Sequence, residues 1–258
     1  MALMGSLEGR SIIVTGAGQG IGEAIAKLAL DLGANVIAVD LNGEALEQSR
    51  GGVDAARYQT VVGSVTDPAF VEQTVQQAVD RFGAVHGLVN NAGIVRAAMI
   101  DKMSDEQWSS VLDVHLNGSF YFLRAVGRHM IRRVKEDGAK RPGAIINISS
   151  DAGRRGTIGQ INYGAAKSAL LGLTMSSARE WGRFEIRVNT VCFGMVETPM
   201  TEVIRSEKFR DQYLAQIPFG RWSSPEEVSR PVCFLLSDDA SYITGQHISV
   251  NGGYTIGV

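Results

Sequence analysis

The stretch "SIIVTGAGQGIGEAIAKLALDLG", residues 11–33, decides the fold. Ser11 to Thr15 is a short run rich in β-branched apolar residues, the pattern of a strand buried on both faces. "TGAGQGIG" (15–22) then turns the chain sharply. Residues 20–33 have the apolar spacing of a helix, with Gly33 to close it. Strand, glycine turn and helix make the first half of a βαβ unit. The alternation continues, with strands expected at 35–40 ("NVIAVD"), 58–63, 85–93, 143–150, 185–194 and 245–253. Helices are expected at 67–83, 104–113, 115–135, 160–182 and from 224 onward. Asp67 and Pro68 mark one helix start, as N-cap and first helical residue. Apolar strands alternating with helices predict an α/β fold, a doubly wound seven-stranded parallel sheet with helices on both faces. No repeat, low-complexity tract or linker interrupts residues 1–258, so a single domain is expected. The longest stretch without clear periodicity, 195–223, has the character of a lid over a binding site.

Bulk chemistry narrows the partners. Apolar residues make up 45% of the chain, enough for a large core. The net charge is −2, and no basic stripe points to nucleic acid or an anionic membrane. The densest basic stretch, 128–141, also carries acids and reads as a solvated helix end and loop. Cys192 and Cys233 sit in apolar surroundings and read as buried thiols. The histidines have no metal-ligand spacing, so no metal site is expected. "MALMGSLEGRS" lacks the apolar core of a signal peptide, and no apolar run approaches the roughly 20 residues that span a bilayer. A soluble, cytoplasmic protein is expected.

In a parallel sheet, the crevice outside the strand C-termini, where strand order reverses, is the natural ligand site. Gly16 permits the sharp turn into it. Gly20 and Gly22 let a backbone or a ligand approach the helix N-terminus, where unpaired N–H groups and the helix dipole favour phosphate. The spacing is G-x-x-x-G-x-G, and Ile21 stands where the G-x-G-x-x-G dinucleotide pattern has glycine. The turn alone fits phosphate binding or merely close helix packing. Asp40 adds to it. This acid ends the second strand, twenty residues past Gly20, where it could accept hydrogen bonds from an adenosine ribose or cap its own loop. Its charge would repel a 2′-phosphate, and neither Gln19 nor Leu41 supplies a cation. The pattern favours NAD(H) over NADP(H).

"INYGAAKS" (161–168) puts Tyr163 and Lys167 four apart, on one face of a helix. Acid–base work by tyrosine near pH 7 asks for about 4 kcal/mol of preference for the phenolate. An adjacent ammonium and an oxidised nicotinamide would both contribute to it. Gly164, Ala165 and Ala166 leave space for a cofactor. An isolated pair of this kind is most often a surface contact. Here it lies thirteen residues after Ser150, at the end of a strand facing the same crevice.

Together these stretches resemble the short-chain dehydrogenase/reductase family along nearly the whole chain. The resemblance is carried by Thr15-Gly16-x-x-x-Gly20-x-Gly22, "NNAG" (90–93), Asn117 in "HLNGSF", Ser150, Tyr163-x-x-x-Lys167 and the ending "SDDASYITGQHISVNGG". It implies a Rossmann fold, NAD(H)-linked interconversion of a carbonyl and a secondary alcohol, and a homotetramer built through the helices holding Asn117 and Tyr163. It also implies roles. Tyr163 would exchange the substrate proton, and Ser150 would hydrogen-bond the reacting oxygen. Lys167 would hold the nicotinamide ribose and depress the tyrosine pKa, and Asn117 would anchor a water chain to Lys167. Gly16, Gln19, Gly20, Ile21 and Gly22 would cradle the pyrophosphate, with Asp40, Leu41, Ser64 and Val65 around the adenosine. Asn90, Asn91, Ala92 and Gly93 would border the cofactor, and Phe193, Gly194, Val196 and Thr198 would flank the nicotinamide.

Three positions depart from the family pattern. Ser64 stands where an aspartate often touches adenine. Phe193 replaces the usual proline before Gly194, either stacking near the nicotinamide or filling the loop. His115 replaces a more usual asparagine two residues before Asn117, and reads as structural, though it could shape the pH profile. Within the family, "AGIVR" (92–96), "MSDEQW" (103–108), "GQINYGAAK" (159–167) and "VNGG" resemble 3-oxoacyl-thioester reductases most. Carrier-protein reductases usually place an arginine for NADPH where this chain has Gln19. The substrate is thus expected to be a small-molecule carbonyl or alcohol, acyl thioesters among them. Other secondary alcohols and a non-catalytic dinucleotide sensor remain as alternatives. Arg154 and Arg155 could meet an anionic substrate group or be solvated loop residues.

Overall fold

The computed structural model describes residues 5–257; residues 1–4 and 258, the ends of the span read above as one domain, lie outside it. The described residues contain seven strands, β1 (Ser11–Thr15), β2 (Asn35–Asp40), β3 (Tyr58–Val62), β4 (Gly87–Asn90), β5 (Ala144–Ser150), β6 (Arg187–Phe193) and β7 (His247–Val250). They form one all-parallel sheet in the order 3-2-1-4-5-6-7. Its helices are α1 (Gly20–Asp31), α2 (Gly43–Ser49), α3 (Pro68–Phe82), α4 (Asp105–Leu112), α5 (Gly118–Asp137), α6 (Ala152–Arg155), α7 (Ile161–Trp181), α8 (Glu202–Arg205), α9 (Glu207–Leu214) and α10 (Pro225–Leu236). The doubly wound Rossmann-like architecture is the expected one.

Alternation along the strands explains the two layers. On β1, Ile12 and Val14 pack with Ile25 and Ala26 of α1 and Val228 and Val232 of α10. Ile13 between them packs on the other face, with Val75 of α3, Phe122 of α5 and Trp181 of α7. Both faces are therefore dry, which is why these strands read as unbroken apolar runs. Local chemistry fixes the helix ends. The Asp67 side chain accepts from Ala69 N–H with Pro68 in the first turn, and Gly83 closes α3 at φ 79°. Ser224 and Glu227 cap α10 reciprocally.

Three features differ from the sequence expectation. Helix α2 was not anticipated, because only Leu46 and Ser49 of its seven residues are buried and no apolar stripe develops. The helices expected at 104–113 and 115–135 are instead one rod. Asp113–Asn117 form a π-turn between α4 and α5, in which Gly118 N–H donates to the Asp113 carbonyl. The 195–223 segment is not structureless but holds α8 and α9. Among the described residues, no helix is long and apolar enough to cross a membrane.

A buried polar chain ties sheet to helix beneath the strand ends. Asn90 Nδ2 donates to Asn147 Oδ1 (2.9 Å), Asn147 Nδ2 to Thr174 Oγ1 (2.8 Å), and Thr174 Oγ1 pairs with Thr190 Oγ1 (2.6 Å). All four residues are buried. Thr174→Val leaves the Asn147 amide and the Thr190 hydroxyl without this partner. The expected cost is about 2 kcal/mol, or a Tm lower by roughly 4–8 °C in thermal unfolding followed by circular dichroism. An unchanged Tm would show that the chain contributes nothing to stability.

Candidate active site

The strand order reverses between β1 and β4, and one threonine clasps the two strand ends. Thr15 Oγ1 accepts from the N–H groups of Asn91 and Ala92 (3.0 Å each) and donates to Val89 O (3.3 Å). The Asn91 side chain in turn donates to the carbonyls of Thr15 and Gly16. A cleft of about 390 Å³ opens above this clasp, within the size range of small-molecule sites.

One end of the cleft is the glycine turn, lined by Gly16, Gln19, Gly20, Ile21 and Gly22. Gln19, the N-cap of α1, makes no side-chain cap, so no capping side chain takes the first-turn N–H groups. A Cβ on Gly22 would run into the Gly16 carbonyl and the Asn91 amide, so no larger residue fits there. A glycine cradle at an uncapped helix N-terminus suits a pyrophosphate. Asp40, Leu41, Ser64 and Val65 line the next part. The Asp40 carboxylate accepts from the N–H groups of Gly18 and Asn42, both at 3.0 Å. It therefore caps its loop as well as facing the cleft, and its oxygens retain lone pairs for a ribose. Asn91, Ala92 and Gly93 form the floor, and Phe193, Gly194, Val196 and Thr198 the far wall. Asn90 does not line the cleft. It lies below, donating to Ser119 O and Asn147. Phe193 lines the cleft but is only 4% exposed, and its ring belongs to the core cluster on the α10 side of the sheet.

The reactive groups converge at this end. Ser150 closes β5, its Oγ accepts from Ala152 N–H (3.2 Å), and its hydroxyl lies close enough to the Tyr163 phenol to influence its titration. Tyr163 enters from the first turn of α7, whose start is pinned by Asn162 Nδ2 donating to the carbonyls of Arg96 and Gln107. One turn on, Lys167 is 3% exposed, and its Nζ lies 5.6 Å from the Tyr163 ring centre and donates to Ile148 O (2.6 Å). Burial dominates the titration of both. It raises the Tyr163 phenol above its ordinary value, against the opposing pull of the nearby Ser150 hydroxyl, and lowers the Lys167 ammonium to about 7. Left to themselves, these groups keep the phenol protonated at neutral pH. A further positive charge in the cleft would lower it.

Asn117 was expected to anchor a water chain to Lys167. It sits at the end of the π-turn, does not line the cleft, and donates to Asp113 Oδ1 on the outer face (2.7 Å). The wide turn rotates His115 inward instead, against Gly93 and 5.1 Å from the Tyr163 ring, edge to face. Arg154 is spent on Ser249 Oγ and His247 O. Arg155 stacks on Tyr254 (4.3 Å) and donates to Tyr254 O and Gln216 Oε1. Neither lines the cleft. Pro199, Met200 and Thr201, of the segment 195–223, line it too, though residue types alone did not single them out. Both cysteines are buried free thiols.

Comparison with known proteins agrees with this geometry. A family model described as Enoyl-(Acyl carrier protein) reductase matches residues 16–255. The 3-oxoacyl-[acyl-carrier-protein] reductase of Thermotoga maritima is 40% identical over 252 residues, covering 97% of this chain and 99% of that one. The chain belongs to the short-chain dehydrogenase/reductase family. Its Escherichia coli relative, also a 3-oxoacyl-[acyl-carrier-protein] reductase, is 41% identical over 251 residues, 96% of this chain and 98% of that one. A crystal structure from Brucella melitensis, named as a short-chain dehydrogenase/reductase of the glucose/ribitol dehydrogenase type, superposes with a TM-score of 0.90 at 33% identity. It covers 97% of this chain and 98% of that one. As a member of this family the protein is an oxidoreductase acting on CH–OH groups with a nicotinamide dinucleotide.

Burying Lys167 without a carboxylate carries a stability cost that Lys167→Met should relieve. The variant is expected to lose activity yet gain about 1–3 kcal/mol at pH 7, or roughly 3–8 °C in Tm. The folded lysine titrates at about 7 against 10.5 for the free group. Between those values the unfolded chain binds the extra proton, so wild-type stability rises with pH across the window. The gap between variant and wild type is therefore full below pH 7 and closes toward pH 10. A variant less stable than wild type at pH 7 would contradict this.

Proposed function

We propose that the protein is an NAD(H)-dependent reductase of 3-oxoacyl thioesters that also runs the reverse, 3-hydroxyacyl dehydrogenase, reaction. The observation that carries this reading is the hydroxyl pair Ser150–Tyr163, backed by buried Lys167 where β5 opens into the cleft. Bound dinucleotide supplies the hydride and, when oxidised, a positive charge. Ser150 and Tyr163 present two O–H donors to the substrate oxygen, where negative charge develops as a carbonyl is reduced. Tyr163 delivers the proton, and in the oxidative direction its phenolate accepts it. Lys167 holds the ribose and favours that phenolate.

The glycine turn, Asp40, Val65, Asn91, Gly93 and Thr198 hold the dinucleotide in this reading. Lys167 is the one cation among the residues lining the described cleft, and it lies at the nicotinamide end. Asp40 thus meets no cation that could accept a 2′-phosphate, which supports NAD(H). The names of the bacterial relatives support the acyl thioester. The segment 195–223 serves as the lid of a single catalytic domain, and exposed Val203 and half-exposed Met200 give it an apolar character. The Brucella likeness keeps polyols as the second reading.

The test follows NADH or NADPH consumption with a short 3-oxoacyl-CoA, alongside a crotonyl-CoA arm and NAD-linked oxidation of ribitol. Faster turnover with NADH is expected, with Tyr163→Phe lowering kcat by 10²–10⁴ while NADH binding, read by fluorescence, is retained. Preference for NADPH would remove the cofactor assignment. Turnover confined to crotonyl-CoA or ribitol would remove the substrate assignment. An active Tyr163→Phe would remove the acid–base role.

A further inference from the structure

Three strand ends lie side by side where Ser150 and Phe193 line the cleft. The pairing aligns Ser150 with Phe193 and Phe193 with Val250, the last residues of β5, β6 and β7. The residues that follow them are Asp151, Gly194 and Asn251. Asp151 and Asn251 thus belong to chains two strands apart, a separation of roughly 9–10 Å across a sheet. Their side chains meet all the same. Asn251 Nδ2 donates to both carboxylate oxygens of Asp151, at 2.9 and 3.1 Å. Gly194, on the strand between, leaves the room. A Cβ there would come within 2.7 Å of Asn251 Cβ. Backbone bonds complete the joint, with Asp151 N–H donating to Phe193 O (2.9 Å) and Gly194 N–H to Val250 O (3.3 Å).

A buried carboxylate is a costly clasp. Asp151 is 2% exposed, and the neighbouring guanidinium groups are engaged elsewhere, Arg154 on Ser249 and His247, Arg155 on Tyr254 and Gln216. An apolar side chain would fill the same space with less desolvation. What the carboxylate adds is direction, since both of its oxygens take the same amide. That amide is itself held. Asn251 Oδ1 accepts from Gly253 N–H (3.0 Å), and Nδ2 also donates to Thr255 O (3.2 Å). We propose that Asp151 is a positioning residue for hydride transfer, fixing Ser150 against the Gly194 wall of the cleft through its clasp on Asn251. This rests on the catalytic reading of Ser150, Tyr163 and Lys167, with Gly194 flanking the nicotinamide. Ser150 sets the substrate oxygen and Gly194 borders the place of the nicotinamide, so their spacing governs the distance the hydride crosses. Displacements well below 1 Å there are enough to slow transfer.

Three variants test it, with Tm and NADH binding as controls for folding and loading. Asp151→Ala removes the acceptor, and Asp151→Asn keeps one acceptor oxygen in nearly the same volume. Asn251→Ala removes the donor from the other side and carries the test if Asp151→Ala does not fold. Single-turnover hydride transfer is followed by nicotinamide absorbance at saturating substrate, with whichever of 3-oxoacyl-CoA, crotonyl-CoA or ribitol the wild type turns over. Each alanine variant is expected to slow transfer about tenfold with little change in KM. Asp151→Asn restores most of the rate. The double alanine variant is no slower than either single one, as a shared interaction requires. In the cofactor-free protein, amide exchange at residues 149–152 and 193–195 is expected to quicken about tenfold in Asp151→Ala and to slow again in Asp151→Asn. Alanine variants with wild-type transfer rates, whatever their Tm, would overturn the proposal and leave the clasp merely structural. An Asn variant no faster than Ala, additive losses in the double variant, or unchanged exchange would overturn it as well. Failure of the catalytic reading looks different: a wild type inert toward the whole carbonyl and alcohol panel removes that reading and this inference together.

Discussion

Everything in the cleft hangs on the three hydrogen bonds of the Thr15 hydroxyl. A parallel sheet wound in both directions must split where β1 and β4 send their chains to opposite sides. The split leaves backbone donors at two strand ends with no strand to pair with. Thr15 takes up both N–H groups beyond β4 and returns its own proton to Val89 O. With the strand ends locked, the glycine turn, the 91–93 floor and α7 acquire fixed relative positions. A ligand site arises at this seam because backbone polarity points outward there.

The second constraint is the buried lysine. A charge held at 3% exposure with a carbonyl rather than a carboxylate for company is poor for stability. The same placement makes the ammonium responsive to small changes in its neighbours, because little water screens it. Burial also raises the Tyr163 phenol, so the protein alone keeps that phenol protonated. A charge entering the cleft would shift it.

Much of the fold was legible because burial on both faces imprints a strong pattern. The runs at 11–15, 35–40 and 143–150 each hold at least three consecutive apolar residues, and the helices between them carry stripes or explicit caps. Legibility failed where burial was partial. Helix α2 buries two residues and leaves no stripe. The glycine turn, Asp40, Ser150, Tyr163 and Lys167 stood out by residue type and spacing, and the fold brings them to one cleft. That His115 rather than Asn117 lines the cleft was not readable, for a geometric reason. A π-turn adds one residue to a helical turn, and residue spacing read at 3.6 per turn cannot reveal which side chain it swings inward. The lid residues carry no such demand, and only the folded chain shows Pro199, Met200 and Thr201 at the cleft.

Arg155 has a mechanical consequence. Its guanidinium reaches Gln216 near the end of the lid segment and stacks on Tyr254 in the C-terminal segment. Beside it, Phe219 N–H donates to Gly252 O, and Asn251 grips the carboxylate of Asp151, next to Ser150. The base of the 195–223 segment, the C-terminal segment and the end of β5 are thus riveted at one joint. A load applied to the C-terminal segment by a fused partner would pass through this joint, like a pull on the spine of a book, to the strand end that carries Ser150.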